Sequence, residues 1–364
     1  MKITNAAGRS WHFSHAIGRN TAEHNPGNPD LGDTGGFGSP YSLTIFDENT
    51  FFVVSRGWDT KLPEQIHDSY KRIGKVGLDQ HHFGDFARNE FTWPSGITKS
   101  KNGTIFISDE FENLIKLFDP NKIVPYPEFS LETESIGSWG KFGKNPGELN
   151  SPNGIQFDAQ DNIIVVDSYN HRIQKFTSGG EYIMHWGKFG KNPGEFNTPW
   201  GITLDDNQNI YVADWGNNRV QKFDPQGKFI MSFGDENSNS GNLNHPADVA
   251  IDSENDVYVT DWGNKKINIY EPNGEIITSL YGDATELSKA GKNVVSRQLA
   301  WSQAYQHVEV EEFTKLGLFG RPIGIEINCN NTIVITDTKG RLQVYKKVKD
   351  FVEPPKNVKV LHPQ

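Results

Sequence analysis

Residues 198–223 read TPWGITLDDNQNIYVADWGNNRVQKF. Three short strand patterns follow one another here. Residues 200–204 are short and apolar, residues 209–213 alternate around Ile210 and Val212, and residues 219–223 set Val220 against Gln221 and Lys222. Asp205-Asp206-Asn207-Gln208 separates the first two, and Asp214-Trp215-Gly216-Asn217-Asn218 separates the second and third. β-Branched and aromatic runs bounded by Asn, Asp and Gly read as antiparallel strands joined by hairpins.

The stretch recurs. Pro199 is followed fifteen residues later by Asp214, and the same offset links Pro94 to Asp109, Pro152 to Asp167, Pro246 to Asp261 and Pro322 to Asp337. Pro40 has Ser55 instead. A glycine two residues after the proline appears as Gly96, Gly154, Gly201 and Gly324, with Ser42 and Asp248 in the other two copies. Pro152 to Pro199 and Pro199 to Pro246 are both 47 residues, which fits four short strands with their connections. The other gaps are longer and hold insertions.

Blocks such as Val166-Asp167-Ser168-Tyr169-Asn170-His171-Arg172-Ile173-Gln174-Lys175-Phe176 resemble NHL repeats, over roughly residues 38–345. The resemblance implies an all-β chain: a six-bladed β-propeller of four-stranded antiparallel blades. It implies less about function, because this fold carries both enzymes and binding modules.

A chain of 364 residues would ordinarily divide into two or three domains. The repeats make it one, since blades stack into a single ring. Residues 10–17 alternate as a strand, and no fourth strand pattern follows residue 345, so the N-terminus is expected to close the sixth blade and remove an exposed edge. Residues 286–315 break the pattern and read as a short helical insertion between blades five and six, and residues 346–364 read as a solvated tail. In blade one, residues 66–73 are expected to hold the third strand, with the fourth from Lys75 onward and His81-His82 in the next loop.

The net charge of -10 argues against a general nucleic-acid or anionic-membrane surface. The single cysteine, Cys329, excludes an intrachain disulfide and a cysteine-based zinc site. Neither a signal peptide nor a membrane span is read, so a soluble, cytoplasmic protein is expected.

The prolines and the Asp-type turns should crowd one rim of the ring. The positions flanking the prolines differ from blade to blade, whereas the strands repeat. Trp93, Asn153, Trp200, Arg321 and Tyr41 are therefore the candidate ligand-binding residues. His245 and Asp248 are the candidate catalytic pair, a base and its orienting carboxylate. The Asp109 to Asp337 series is assigned to architecture, because a turn carboxylate accepts backbone N–H bonds and five copies do not make one active site. Some six-bladed relatives hold zinc by histidines from separate blades. Here the inner rim offers only His245, so no metal and no cofactor are expected.

The leading expectation is a module that binds a small molecule, peptide or protein at the central rim. The alternative is a metal-independent hydrolase or lyase acting on a small molecule in the same pocket. RNA binding, known among NHL proteins, ranks below both because the rim carries few Lys or Arg.

Overall fold

The computed structural model describes residues 2–18, 37–57, 71–87, 90–122, 135–235, 241–289, 291–292 and 317–348. Within these residues six antiparallel sheets form the blades of a propeller. Their inner strands are Pro40–Ile45, Pro94–Lys99, Pro152–Phe157, Ile202–Leu204, Pro246–Ile251 and Pro322–Ile327, and they neighbour one another around the axis. Blade four continues outward through Ile210–Asp214, Arg219–Phe223 and Phe229–Phe233.

The fifteen-residue offset is the register of the inner hairpin. Pro94 pairs with Asp109, Pro152 with Asp167, Pro246 with Asp261, Pro322 with Asp337 and Pro40 with Ser55. The second strands depart from the expected alternation. Ile210–Asp214 and Val257–Asp261 are buried at every position. Each such strand is covered on both faces by neighbouring blades, so both faces need apolar side chains.

Six apolar clusters fill the spaces between blades. The first-to-second contact is built on Phe52, Val54, Ile97 and Ile107, and the third-to-fourth on Ile164, Val166, Ile202 and Val212. The ring is complete, because Val334, Leu342 and Val344 of blade six pack on Leu43, Phe51 and Val53 of blade one. Burying each of these Val, Leu or Ile side chains stabilises the ring by about 1.5–3 kcal/mol.

The sixth sheet has five strands. Arg9–Gly18 pairs antiparallel with Arg341–Val348, from Ser10 opposite Val348 to Gly18 opposite Arg341. Ile3–Ala6 then adds outside Arg9–Gly18 through the tight turn Ala7-Gly8, both residues at positive φ, as a two-residue hairpin turn requires. Trp11 is 1% exposed and donates its indole N–H to Tyr258 Oη at 2.8 Å in blade five.

Three expectations are corrected. The last strand runs to Val348 rather than ending at Tyr345, and Lys347, assigned to a solvated tail, is buried. In blade one the third strand is Lys71–Gly77 and the fourth is His82–Phe86, so His82 lies within a strand. That blade lacks the Asp of its hairpin and carries extra residues after Ser55, so the repeat could not be used to phase it. Most of the helical insertion 286–315, and the tail beyond residue 348, lie outside the described residues.

Candidate functional site

Four residues that precede a rim proline have positive φ: Ser39, Ser151, Thr198 and His245. This is an uncommon conformation for residues other than glycine, and more so before proline. The neighbouring blade holds three of them in place. The backbone N–H of Ser151 donates to Asn113 Oδ1 at 2.8 Å, that of Thr198 to His171 Nδ1 at 3.0 Å, and that of His245 to Asn218 Oδ1 at 2.9 Å. His171 is therefore an inter-blade acceptor, and so is the Asn at the same repeat position.

The Asp series anchors the same turns. Asp214 accepts from Asn197 N at 2.8 Å, Asn217 Nδ2 at 2.9 Å, Arg219 Nε at 2.9 Å and Gln221 Nε2 at 3.1 Å. Arg219 also donates to the carbonyls of Asn192 and Glu195 in the incoming connection, which locks that loop to the turn. Asp167 repeats the arrangement with Asn150, Asn170, Arg172 and Gln174.

On this scaffold the rim divides into two halves. In blades one to three the polar groups already satisfy each other. The Arg56 guanidinium carbon stands 3.3 Å from the Tyr41 ring centroid and 5.2 Å from that of Trp93. Arg56 donates to Pro94 O at 2.7 Å, Ser95 Oγ at 2.7 Å and Glu110 Oε1 at 2.5 Å. Glu110 also accepts from Ser95 Oγ at 2.7 Å and Asn153 Nδ2 at 2.8 Å. Tyr41 and Asn153 are 8% and 5% exposed, and burial pushes the Tyr41 phenol up to about 12. Trp93, 37% exposed, is the open face of this half.

Blades four to six carry a run of rings. Trp200 lies 6.2 Å from Tyr41 and 5.3 Å from Trp215, centroid to centroid. Trp215 lies 4.0 Å from His245, and His245 lies 6.4 Å from Trp262. The run ends with the Arg321 guanidinium carbon 3.9 Å from the Trp262 centroid. Every sequence-derived ligand residue thus belongs to one rim, but only Trp93, Trp200 and Arg321 present a free surface to it.

His245 and Asp248 are brought to the same blade but not to each other. Nδ1 of His245 lies 2.6 Å from Asn244 Oδ1. The Asp248 carboxylate accepts from Val249 N at 2.9 Å and from Ile325 N, on the next inner strand, at 3.1 Å. Among the described residues no hydrogen bond joins imidazole to carboxylate, so the expected base with its orienting carboxylate is not formed. Asp248 instead ties two neighbouring inner strands together, because a longer side chain replaces glycine where their backbones come close.

Four rim residues escaped the sequence reading: Arg56, Glu110, Trp215 and Trp262. All occupy one repeat position, immediately after the Asp or Ser at offset fifteen, and that column is as varied as the proline flanks. The same search for departures applied there would have found them.

The NHL repeat profile matches residues 149–176, 196–223 and 243–270, which are three of the six blades. The protein is an NHL-repeat propeller. Solved structures share the fold of this NHL propeller at low identity. Virginiamycin B lyase from Staphylococcus aureus is 15% identical with a TM-score of 0.51, over 85% of this chain and 94% of that one. A streptogramin B lyase is 12% identical with a TM-score of 0.51, over 86% and 94%. A protein of unknown function from Bacteroides thetaiotaomicron is 13% identical with a TM-score of 0.59, over 93% and 76%. These likenesses show the fold alone. No curated protein matches the chain.

The NHL propeller has a cavity of about 400 Å³ lined by Thr44, Thr98, Lys99, Gln156, Glu326 and Cys329 among others, residues from the ends of the inner strands remote from the rim prolines. Burial, and then the charge on Asp248, push the Glu326 carboxyl up to about 8. One group of carboxylates among the described residues is close enough for a cation: Asp252, Glu254 and Asp256. The ammonium of Lys347 fills it, 2.6 Å from Asp252 and 2.7 Å from Asp256. No helix among the described residues is long and apolar enough to cross a membrane.

Proposed function

We propose that this NHL propeller is a binding module for a small molecule with a flat apolar body, held at the rim that the prolines and Asp turns build. The observation that supports this reading is the run of Trp200, Trp215, His245 and Trp262 rings drawn from two blades and continued by Arg321 of a third. Aromatic faces bind flat bodies, while a few polar groups set orientation. Neighbouring strands repeat because each blade packs alike, and these positions are released from that constraint.

The alternative, a metal-independent hydrolase or lyase in the same place, would rely on His245 as its acid or base. The amide oxygen of Asn244, rather than a carboxylate, orients that ring. A thermal-shift screen of small metabolites on wild type, Trp200→Ala and His245→Ala separates the readings. A binding module gives ligands whose shift is lost in Trp200→Ala and which are recovered chemically unchanged. Turnover abolished by His245→Ala would make it an enzyme. Shifts that survive Trp200→Ala would place the site elsewhere.

A further inference from the structure

The two halves of the rim offer a ligand different chemistry. Among the described residues, the cation at the rim of blades one to three, Arg56, already has Glu110, Ser95 and a backbone carbonyl, and Glu110 has three donors. Among the described residues a charged ligand meets no unmatched partner there. Arg321 is exposed, is held over the Trp262 ring, and has no ion-pair or hydrogen-bond partner for its guanidinium among the described residues. Stacking on an indole fixes the plane of the guanidinium and leaves its N–H fork free for a carboxylate.

Two further polar groups in the same run have no partner among the described residues. The indole N–H of Trp215 is buried and unpaired. An amide oxygen only accepts, so the bond to Asn244 Oδ1 places the proton of the neutral His245 ring on Nδ1 and leaves Nε2 as an acceptor. Among the described residues, Arg321 is the free cation that meets a ligand against three Trp faces, in a protein whose net charge of -10 opposes any more strongly anionic molecule.

Resting on the rim reading above, we infer that blades four to six bind a planar aromatic monocarboxylate. Its ring lies against the Trp200, Trp215 and Trp262 faces, and its carboxylate is paired with Arg321. Arg321 is the specificity residue: it selects the charge, and the indoles select the flat body.

The test uses the full chain and two probes of one shape, indole-3-acetate and its neutral amide, with affinities measured by calorimetry on wild type, Arg321→Gln, Arg321→Lys and Trp200→Ala. Wild type is expected to prefer the acid by about tenfold, the size of one charge-assisted hydrogen-bonded pair. Arg321→Gln abolishes the preference and Arg321→Lys restores part of it. Trp200→Ala weakens both probes alike. Equal binding of acid and amide to wild type, or a preference that persists in Arg321→Gln, overturns the inference. If Trp200→Ala still weakens both probes in that case, the rim reading stands. No binding of either probe at millimolar concentration, or binding indifferent to Trp200→Ala, removes the rim reading together with the inference.

Discussion

The ammonium of Lys347 lies 2.7 Å from a carboxylate oxygen of Asp256, and both side chains are sealed from solvent. Lys347 belongs to the last strand of blade six and Asp256 to the first hairpin of blade five. Asp252 and Glu254 share the same ammonium, and Nε of Arg9, from the closing strand, reaches the same Asp256 oxygen at 2.7 Å. Burial pulls the Lys347 ammonium down, but hydrogen bonds to Asp252, Asp256 and Glu254 outweigh it and hold the pKa above the usual lysine value. The closing strand, through Arg9, and the last strand of blade six, through Lys347, are thereby fastened to blade five.

Lys347→Met is expected to destabilise the protein by about 3–5 kcal/mol, because it leaves buried Asp252 without its cation and Asp256 with Arg9 alone. Urea unfolding measures this. A midpoint unchanged from wild type would show that the cluster contributes nothing to closure.

Asp248 and Glu326, on neighbouring inner strands, both titrate late. Burial pushes Asp248 up to about 7, and burial with the charge on Asp248 pushes Glu326 up to about 8. The folded state therefore holds protons that the unfolded chain releases near its ordinary values of 3.8 and 4.5. Stability from these two groups falls as pH rises from about 4 to about 8 and is level above that. Asp248→Asn with Glu326→Gln should flatten this slope, and the double variant should gain on wild type as pH rises. Parallel melting profiles between pH 5 and pH 8 would contradict the assignment.

Gly154 sits where two inner strands nearly touch. A Cβ there would come 2.5 Å from the Trp200 carbonyl oxygen, across the hydrogen bond from Gly154 N to the same oxygen at 2.9 Å. Gly154→Ala is expected to cost about 1–3 kcal/mol, as overpacking of a rigid contact does. Thermal or urea unfolding reads the loss, and a variant as stable as wild type would mean that the inner strands can separate freely.

His171 accepts from the Thr198 backbone at 3.0 Å, the job done by Asn113 and Asn218 elsewhere in the ring. His171→Asn should therefore be tolerated. His171→Ala should lose about 1–3 kcal/mol by leaving the donor unpaired. Equal stability of the two variants would remove the inter-blade role.

The repeated proline and Asp, the six copies and the structural task of the Asp series were all legible in the chain. They are local consequences of strand register and burial, and each blade meets the same neighbours, so the same residues recur. Blade one was misphased because Ser55 stands at its Asp position and residues follow that no other copy has. The rim was legible only where it borders the prolines. Sequence reasoning placed His245 with Asp248 because they are three residues apart, yet the fold gives one to Asn244 and the other to Ile325.

Which rim groups are free was decided by the ring alone. Arg56 meets Glu110 from the next blade, and Arg321 meets Trp262 from the previous one. No local period encodes such pairings, because closing six blades sets side chains side by side that lie far apart in the chain. The burial of Lys347 has the same origin. Its strand pattern ends in lysines that read as solvated, and only the packing of blade six against the acidic hairpin of blade five supplies the carboxylates that make burying one of them favourable.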